Sequence, residues 1–458
     1  MRSLSRFLRS AGLIPVLVLL PFGLRAQEQE AMPHGEGRGE MTLALAGDAI
    51  ITRRLSVYDE PEFLRLREII QGSTAAFVNL EILFHDFEED VIPAATSGGT
   101  YMRADPGMAK ELTWMGFDLV SRANNHTMDY GVGGLRRTDR AVEVAGLVHA
   151  GTGENLAFAR APAYLETPGA RVALISAAST FADPMRAGPQ RKDLRGRPGL
   201  NPIRYRRTYQ VTPEQMDALR SFRESMGWGR GSGDRLRLFG ETFQEGESFR
   251  SVTVPHEGDL EEIVASVAAA DRQAELVIFA SHSHERGESN TEPAGFLRTL
   301  AHAVIDAGAD VFVGHGPHVL RGIEVYKGKP IFYSLGDFIF QNETVPFQPA
   351  DNYQRYDLEP ETLVADFYDA RQSGGGFPAN PLIWESVVAQ IRYLDGEVAE
   401  IQLHPITLGH GLPRPRRGRP LLARGELAAK ILGDVQRLSE AMGTTVEIRD
   451  DVGVIRFR

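Results

Sequence analysis

The stretch "VFVGHGPHVLRG", from Val311 to Gly322, sets two histidines three residues apart at the end of an apolar run. Neutral imidazole is the commonest protein ligand for a transition metal. The Gly-Pro pair bends the chain sharply, so His315 and His318 could aim at one point from two directions, with Gly314 and Gly316 letting backbone come close to an ion. Other apolar runs end in the same kind of residue. Asp48 follows "LALAG", Glu81 follows "AFVNL", Asn125 and His126 follow "LVSRAN", and His282 follows "VIFAS". Singly, each has an ordinary explanation: an Asp after Gly caps a turn, and a His beside an apolar run is commonly hydrogen-bonded structure. As a set, carboxylate, amide oxygen and imidazole suit Mn, Fe, Zn or Co rather than the all-oxygen shell of calcium.

Ligands collect at the carboxyl ends of strands in sheet proteins, so the elements that carry these residues matter. "MTLALAGD", "AAFVNLE", "FDLVSRANNH", "RVALISAAS", "ELVIFASH" and "ADVFVGH" read as buried strands. Amphipathic stretches such as "GLRRTDRAVEVAG" and "EPAGFLRTLAHAVIDAG" lie between several of them, an α/β layout. Farther on, "IEVYKGKPIFYSLG" and "VVAQIRYLDGEVAEIQLHPI" carry Lys-Gly and Asp-Gly turns that predict hairpins, followed by a helix from Gly425 to Met442 and a β-like tail.

Residues 1–26, with Arg2, Arg6 and Arg9 before the apolar run Ala11–Leu20, read as a secretory signal peptide, with an uncleaved anchor as the alternative. Residues 27–40 form a polar linker. Loss of the four arginines in 1–26 would move the formal charge from −11 to −15, which argues against nucleic-acid binding. No later stretch approaches a membrane span, so the expected location is periplasmic or extracellular. The chain has no cysteine, which excludes disulfides, thiolate metal sites and cysteine nucleophiles. From 181 to 256 the chain is rich in Gly, Pro and Arg, and Arg186, Arg191, Arg195, Arg197, Arg204, Arg206 and Arg207 crowd together. That run reads either as a solvated loop or as a contact for an anionic substrate, with Arg204 the residue named for binding. The arginines from Arg414 to Arg424 raise the same two readings.

The ordered set "AGD", "VNLE", "ANNHTMDYG", "GTGENLAFARAP", "FASHSHERGE" and "GADVFVGHGPHVLRGIEVYKGKPIFYSLGDFIF" resembles the CapA family of capsule-synthesis proteins associated with poly-γ-glutamate. The resemblance runs from about Met41 to about Phe340, more weakly to "RLSEAMGTTVEI". It implies a four-layer metallophosphatase-like sandwich, mixed β-sheets flanked by helices, over residues 41–345. The insertion at 181–256 interrupts that domain, and 346–458 adds a hairpin, a helix and closing strands to it. It further implies that Asp48, Glu81, Asn125, His282, His315 and His318 hold two divalent ions, with Glu81 bridging. His126 is the implied catalytic residue, stabilising or protonating a leaving oxygen. Asn79, Asn124 and His284 join Arg204 as expected substrate-binding residues. Three departures from the family pattern stand out: Ile50 where metallophosphatases carry a histidine, predicting one metal position weakly held or empty; Ser283-His284 where Trp-Gly is usual; and Asp337 where Asn is usual.

These residues predict an exported metal-dependent hydrolase acting on a phosphoester or γ-glutamyl-type substrate. The competing expectation is a non-catalytic assembly, export or anchoring factor for an anionic capsule polymer, in contact with cell-envelope machinery and keeping a structural metal. A serine hydrolase using Ser281 or Ser334 is a third class, but neither sits in a G-x-S-x-G elbow.

Overall fold

The structure, a computed structural model, describes residues 39–457 apart from Gly374 and Gly376. The expected signal peptide and most of the polar linker lie outside the described residues. No helix among those described is long and apolar enough to cross a membrane.

The described chain is a mixed α/β structure built on two large sheets. In the first, Met41–Ile50 runs parallel to Ala75–Leu80, which is followed by Leu119–Ser121 and Val148–Ala150, also parallel. On its other flank Met41–Ile50 pairs antiparallel with Glu385–Leu394, which folds back on Glu397–Thr407. The second sheet has the order Ile323–Tyr326, Lys329–Phe332, Val311–His315, Leu276–His282, Arg171–Ala178, Ala163–Glu166. Its four inner strands are parallel. Strand "FDLVSRANNH" is shorter than its apolar run suggests: pairing stops at Ser121, and the chain turns so that Asn124 to His126 lie in a loop.

Side-chain alternation along each strand decides which core it feeds. Leu43, Leu45 and Phe77 of the first sheet share one core with Val172, Leu174, Ile278 and Val313 of the second. Their neighbours Ala44, Ala46 and Val78 turn the other way, onto Phe63, Leu66 and Leu112 of the helices Pro61–Gln71 and Ala109–Met115. Ala173, Ile175 and Phe279 pack on the helices Glu257–Asp271 and Gly295–Asp306. A buried hydrogen bond between the hydroxyls of Ser121 and Ser176 (2.6 Å) links the two sheets inside the apolar contact.

Both anticipated hairpins form. Lys327 and Gly328 take φ of 51° and 77°, Asp395 and Gly396 φ of 51° and 87°, each a pair of left-handed residues as a tight two-residue turn requires. The C-terminal helix runs Gly425–Glu440 and buries Ala428, Ile431, Leu432 and Val435 in the core shared by the sheets. The Arg-rich insertion contributes a separate four-stranded sheet, Arg235–Leu238, Glu241–Glu245, Tyr205–Val211 and Arg250–Pro255, with a small core of its own around Val211, Met216 and Leu236.

Candidate metal centre

The parallel strands of both sheets end on a common rim, and the side chains at those ends converge. His282 and His315 are direct partners in register on adjacent strands. Asp48 sits opposite Asn79 on one side and Asp337 on the other, at a bulge that breaks the regular register of Met41–Ile50. A bulge re-aims the side chain that follows it. The segment before Asp337 crosses so closely that a Cβ on Gly47 would lie 1.8 Å from the carbonyl oxygen of Gly336, so only glycine fits there.

Glu81 stands at the centre. Its Oε1 lies 3.8 Å from His126 Nε2, 3.7 Å from His282 Nε2 and 3.7 Å from His318 Nε2. Two donors about 2.1 Å from one ion at the tetrahedral angle stand roughly 3.4 Å apart, so the His282 and His318 spacings approach those of ligands around a shared ion. His315 Nδ1 is 3.6 Å from Asp48 Oδ1, and His318 Nδ1 is 3.8 Å from Asp48 Oδ2. Two groups of donors are mutually within coordination reach: Asp48, Glu81, His318 and Asp337, and Glu81, His282 and His284, with Glu81 common to both.

Fixed partners orient the members. Asn79 Nδ2 donates to Asp48 Oδ1 (2.6 Å), and the Gly316 N–H donates to Asp48 Oδ2 (3.0 Å). Asp337 Oδ1 is 2.7 Å from His318 Nδ1, and Asp129 Oδ2 is 2.7 Å from His126 Nδ1. A carboxylate on one ring nitrogen fixes the ring and turns the other nitrogen outward, the arrangement that supports metal-ligating histidines. The Gly-Pro turn does its part through backbone: Gly316 has φ of 105°, and a Cβ there would lie 2.8 Å from His284 Cδ2 and 3.1 Å from His282 Nε2. His318 itself is held at φ of 56°, an uncommon conformation for a residue with a side chain.

Burial leaves several of these groups without partners. Asn79 Oδ1, both oxygens of Glu81, Asn125 Oδ1, both ring nitrogens of His315 and Asp337 Oδ2 are buried with no hydrogen bond. An orphaned polar atom inside a protein costs about 1–3 kcal/mol, and Glu81 and its neighbours gather several of those in the described chain. Electrostatics point the same way. Burial pushes Asp48 up to about 7, and Asp337 well above the usual carboxylate range. Glu81 is raised by burial and then by the charges of Asp48, Asp337 and Asp129. Burial also pulls His315 down to about 3 and His318 to about 4, and holds His282 and His284 well below the ordinary imidazole value. Neutral imidazoles beside carboxylates that cannot all ionise unaided form a donor set that fits a divalent cation.

The site opens into a cavity of about 350 Å³ whose walls include Asn125, His126, His284, His318, Arg321 and Arg371. The structure therefore gathers Asp48, Glu81, Asn125, His126, His282, His315 and His318, while assigning other positions differently from expectation. His284, anticipated as a substrate contact, has its Nε2 3.1 Å from His282 Nε2 and stands among the potential ligands. Asn79 is buried behind Asp48. Asn124 donates to the Leu80 carbonyl (2.8 Å) and accepts from the His126 N–H (3.1 Å), a brace for the loop rather than a contact for substrate. Arg204 is not at the site: its guanidinium is spent on Asp259, at 2.7 and 2.9 Å, and no residue of 181–256 lines the cavity. Ser334 Oγ accepts from the Gly336 N–H, and Ser281 Oγ is buried without a partner, so neither has a base beside it. Sequence reasoning missed Asp337, whose acid stands beside Asp48 where Ile50 offers no donor; the departure from Asn was the available signal. It also missed Arg321 and Arg371, for which the sequence carries none.

Residues 42–342 match the family model described as "Bacterial capsule synthesis protein PGA_cap". An "Uncharacterized protein y4sH" of Sinorhizobium fredii is 38% identical over 91% of this chain and 93% of its own length. The "Capsule biosynthesis protein CapA" of Bacillus anthracis is 26% identical over 71% of this chain and 66% of its own length. A "Probable polyglutamine synthesis accessory protein" of Mycobacterium tuberculosis is 28% identical over 53% of this chain and 50% of its own length.

Proposed function

The chain belongs to the bacterial capsule synthesis protein family PGA_cap, and from that premise we propose that it is an exported metal-dependent hydrolase acting on a phosphoester or γ-glutamyl-type substrate in the making of an anionic capsule polymer. The observation that carries this reading is the pair of donor groups sharing Glu81, with orphaned buried atoms pointing between them. Two divalent ions, Mn, Fe, Zn or Co, would supply an activated water together with charge neutralisation. Asp48, Glu81, His318 and Asp337 would hold one and Glu81, His282 and His284 the other, with the Asn125 amide oxygen and His315 as further donors. His126, turned by Asp129 so that Nε2 faces Glu81, passes a proton to the leaving oxygen. The shared core between the sheets and the helices packed on their far faces support a four-layer sandwich over residues 41–345. The strands after 385 complete its first sheet, and the Arg-rich segment is an insertion beside it. Export rests on the composition of residues 1–26.

Metal analysis of the purified chain, followed by turnover of aryl phosphomonoesters, phosphodiesters and γ-glutamyl amides, tests the reading. Asp48→Asn and His315→Ala are expected to abolish turnover while the protein stays folded; undiminished activity in both would defeat it.

The second reading is a non-catalytic accessory factor in polymer assembly or export that keeps the metal as a structural element. The Mycobacterium tuberculosis relative, described as a probable accessory protein, favours it. Bound metal with no turnover on any of these substrates would support this role over the enzymatic one.

A further inference from the structure

Two arginines reach the cavity without an acid to answer them. Arg321 is 1% exposed, and its Nε and Nη2 donate to the carbonyls of Asn290 and Glu285, both at 3.0 Å. Its Nη1 is buried with no partner. The neighbouring carboxylate of Glu285 is occupied by the hydroxyls of Ser179, Thr180 and Ser283. Arg371, on the helix Val364–Ser373, makes no hydrogen bond or ion pair among the described residues, and its Nη1 is also buried and unpartnered. It lies against Phe377, whose ring meets His318 edge-on at 4.6 Å.

A guanidinium cannot shed its proton in a protein, so burying one without an anion is costly and persists where an anion arrives from outside. Three other arginines of the C-terminal part that are buried or half-buried are answered: Arg414 by Asp369, Arg417 by Glu343 and Arg419 by Glu60. Arg321 and Arg371 are exceptions, and both line the cavity that holds His126, His284 and His318. The planar fork of arginine matches the paired oxygens of phosphate or carboxylate.

We propose that Arg321 and Arg371 form an oxyanion subsite, which selects substrates carrying a phosphate or carboxylate group beside the bond presented to the Glu81 cluster. This rests on the reading of that cluster as the hydrolytic centre. Arg371 lies beyond the residues that match the family model, so this selectivity is supplied by the chain's own C-terminal part.

Titration calorimetry on the full chain, with inorganic phosphate and glutarate as probes, is run after chelator treatment and again after reloading with Mn²⁺. Arg371→Gln is expected to weaken the tighter-binding probe by roughly tenfold or more in both states, as for a lost hydrogen bond to a charged group. Mn²⁺ stoichiometry and melting temperature should be unchanged, and Arg371→Lys should recover part of the affinity. The tighter probe names the group recognised. Absence of binding by either probe at millimolar concentration, or equal binding by the parent and Arg371→Gln in both states, overturns the subsite. Failure of the metal reading looks different: no Mn²⁺ is taken up, while the Arg371 effect persists in the chelator-treated protein.

Discussion

The rim around Glu81 and the insertion at 181–256 are both dense in charge, yet they handle it in opposite ways. The arginines of the insertion find acids within it or on the helix that follows: Arg204 meets Asp259, which Arg160 also reaches, Arg191 meets Asp193, and Arg220 meets Glu245. At the rim, carboxylates, an amide and imidazoles are packed together out of water, and their hydrogen-bonding capacity is left open. A run of like charges in a sequence marks a surface; a partner missing in the folded state marks a site. Only the second involves a cost that a ligand can relieve.

Changes that remove or add partners on each side should separate the two regions. The largest effect is expected from Glu81→Gln, which takes away the acceptor common to both donor groups. Metal content after dialysis should fall to background, with affinity down by roughly a hundredfold or more, while circular dichroism stays unaltered; retained stoichiometric metal would erase the distinction between the regions. Asp259→Ala should show the reverse pattern. It removes the buried acid that Arg160 and Arg204 share, leaving Arg160 with the exposed Glu262 and Asn201, and breaking such a buried pair costs up to about 3–5 kcal/mol, read as a lower denaturation midpoint in a protein that still binds metal. Asp337→Asn weakens the hold on His318 and should lower metal affinity about 10- to 100-fold, measured by competition with a chromogenic chelator. In pH the acids and the imidazoles of the rim pull in opposite directions. Asp48, raised to about 7, keeps its proton in the folded metal-free protein while the unfolded chain has lost it, which costs stability as pH rises from about 4 towards 7. His315 and His318, lowered to about 3 and 4, and His282 and His284, held well below the ordinary value, stay neutral in the folded protein while the unfolded chain charges them, so their contribution to stability grows with pH over the same window. Asp48→Asn removes the first contribution, so in urea titrations the stability of the metal-depleted variant should climb more steeply with pH than that of the parent. At the small end, Arg191→Gln in the insertion should leave melting temperature and metal content as they were.

Much of this organisation is legible in the sequence because strand ends are. Asp48, Glu81, His282 and His315 each terminate an apolar run, and parallel strands deliver such ends to one rim. The two hairpins are legible because Lys-Gly and Asp-Gly are among the few pairs that accept left-handed backbone cheaply. Asp337 was legible only as a departure from the family's Asn; its place beside Asp48 across a bulge is a pairing that no local pattern encodes. His284, expected at the substrate, lines the cavity and also stands within reach of His282 and Glu81, because the direction of a ring two residues past a strand depends on the Gly316 turn packed against it. Arg204 drew attention through its neighbours in sequence, whereas its fate was decided by Asp259, which lies on a helix far along the chain. Arg321 and Arg371 could not be singled out, because what distinguishes them is an acid that is not there.

The strand bearing Asp48 is the first of the described chain and pairs with Glu385–Leu394, close to the last. Asp48 and Glu81 are therefore enclosed only once His315, His318, Asp337 and that late strand have joined them, and non-local pairing of this kind slows folding. Without the residues from 385 onward, Met41–Ile50 would present a bare sheet edge where it now has an antiparallel neighbour.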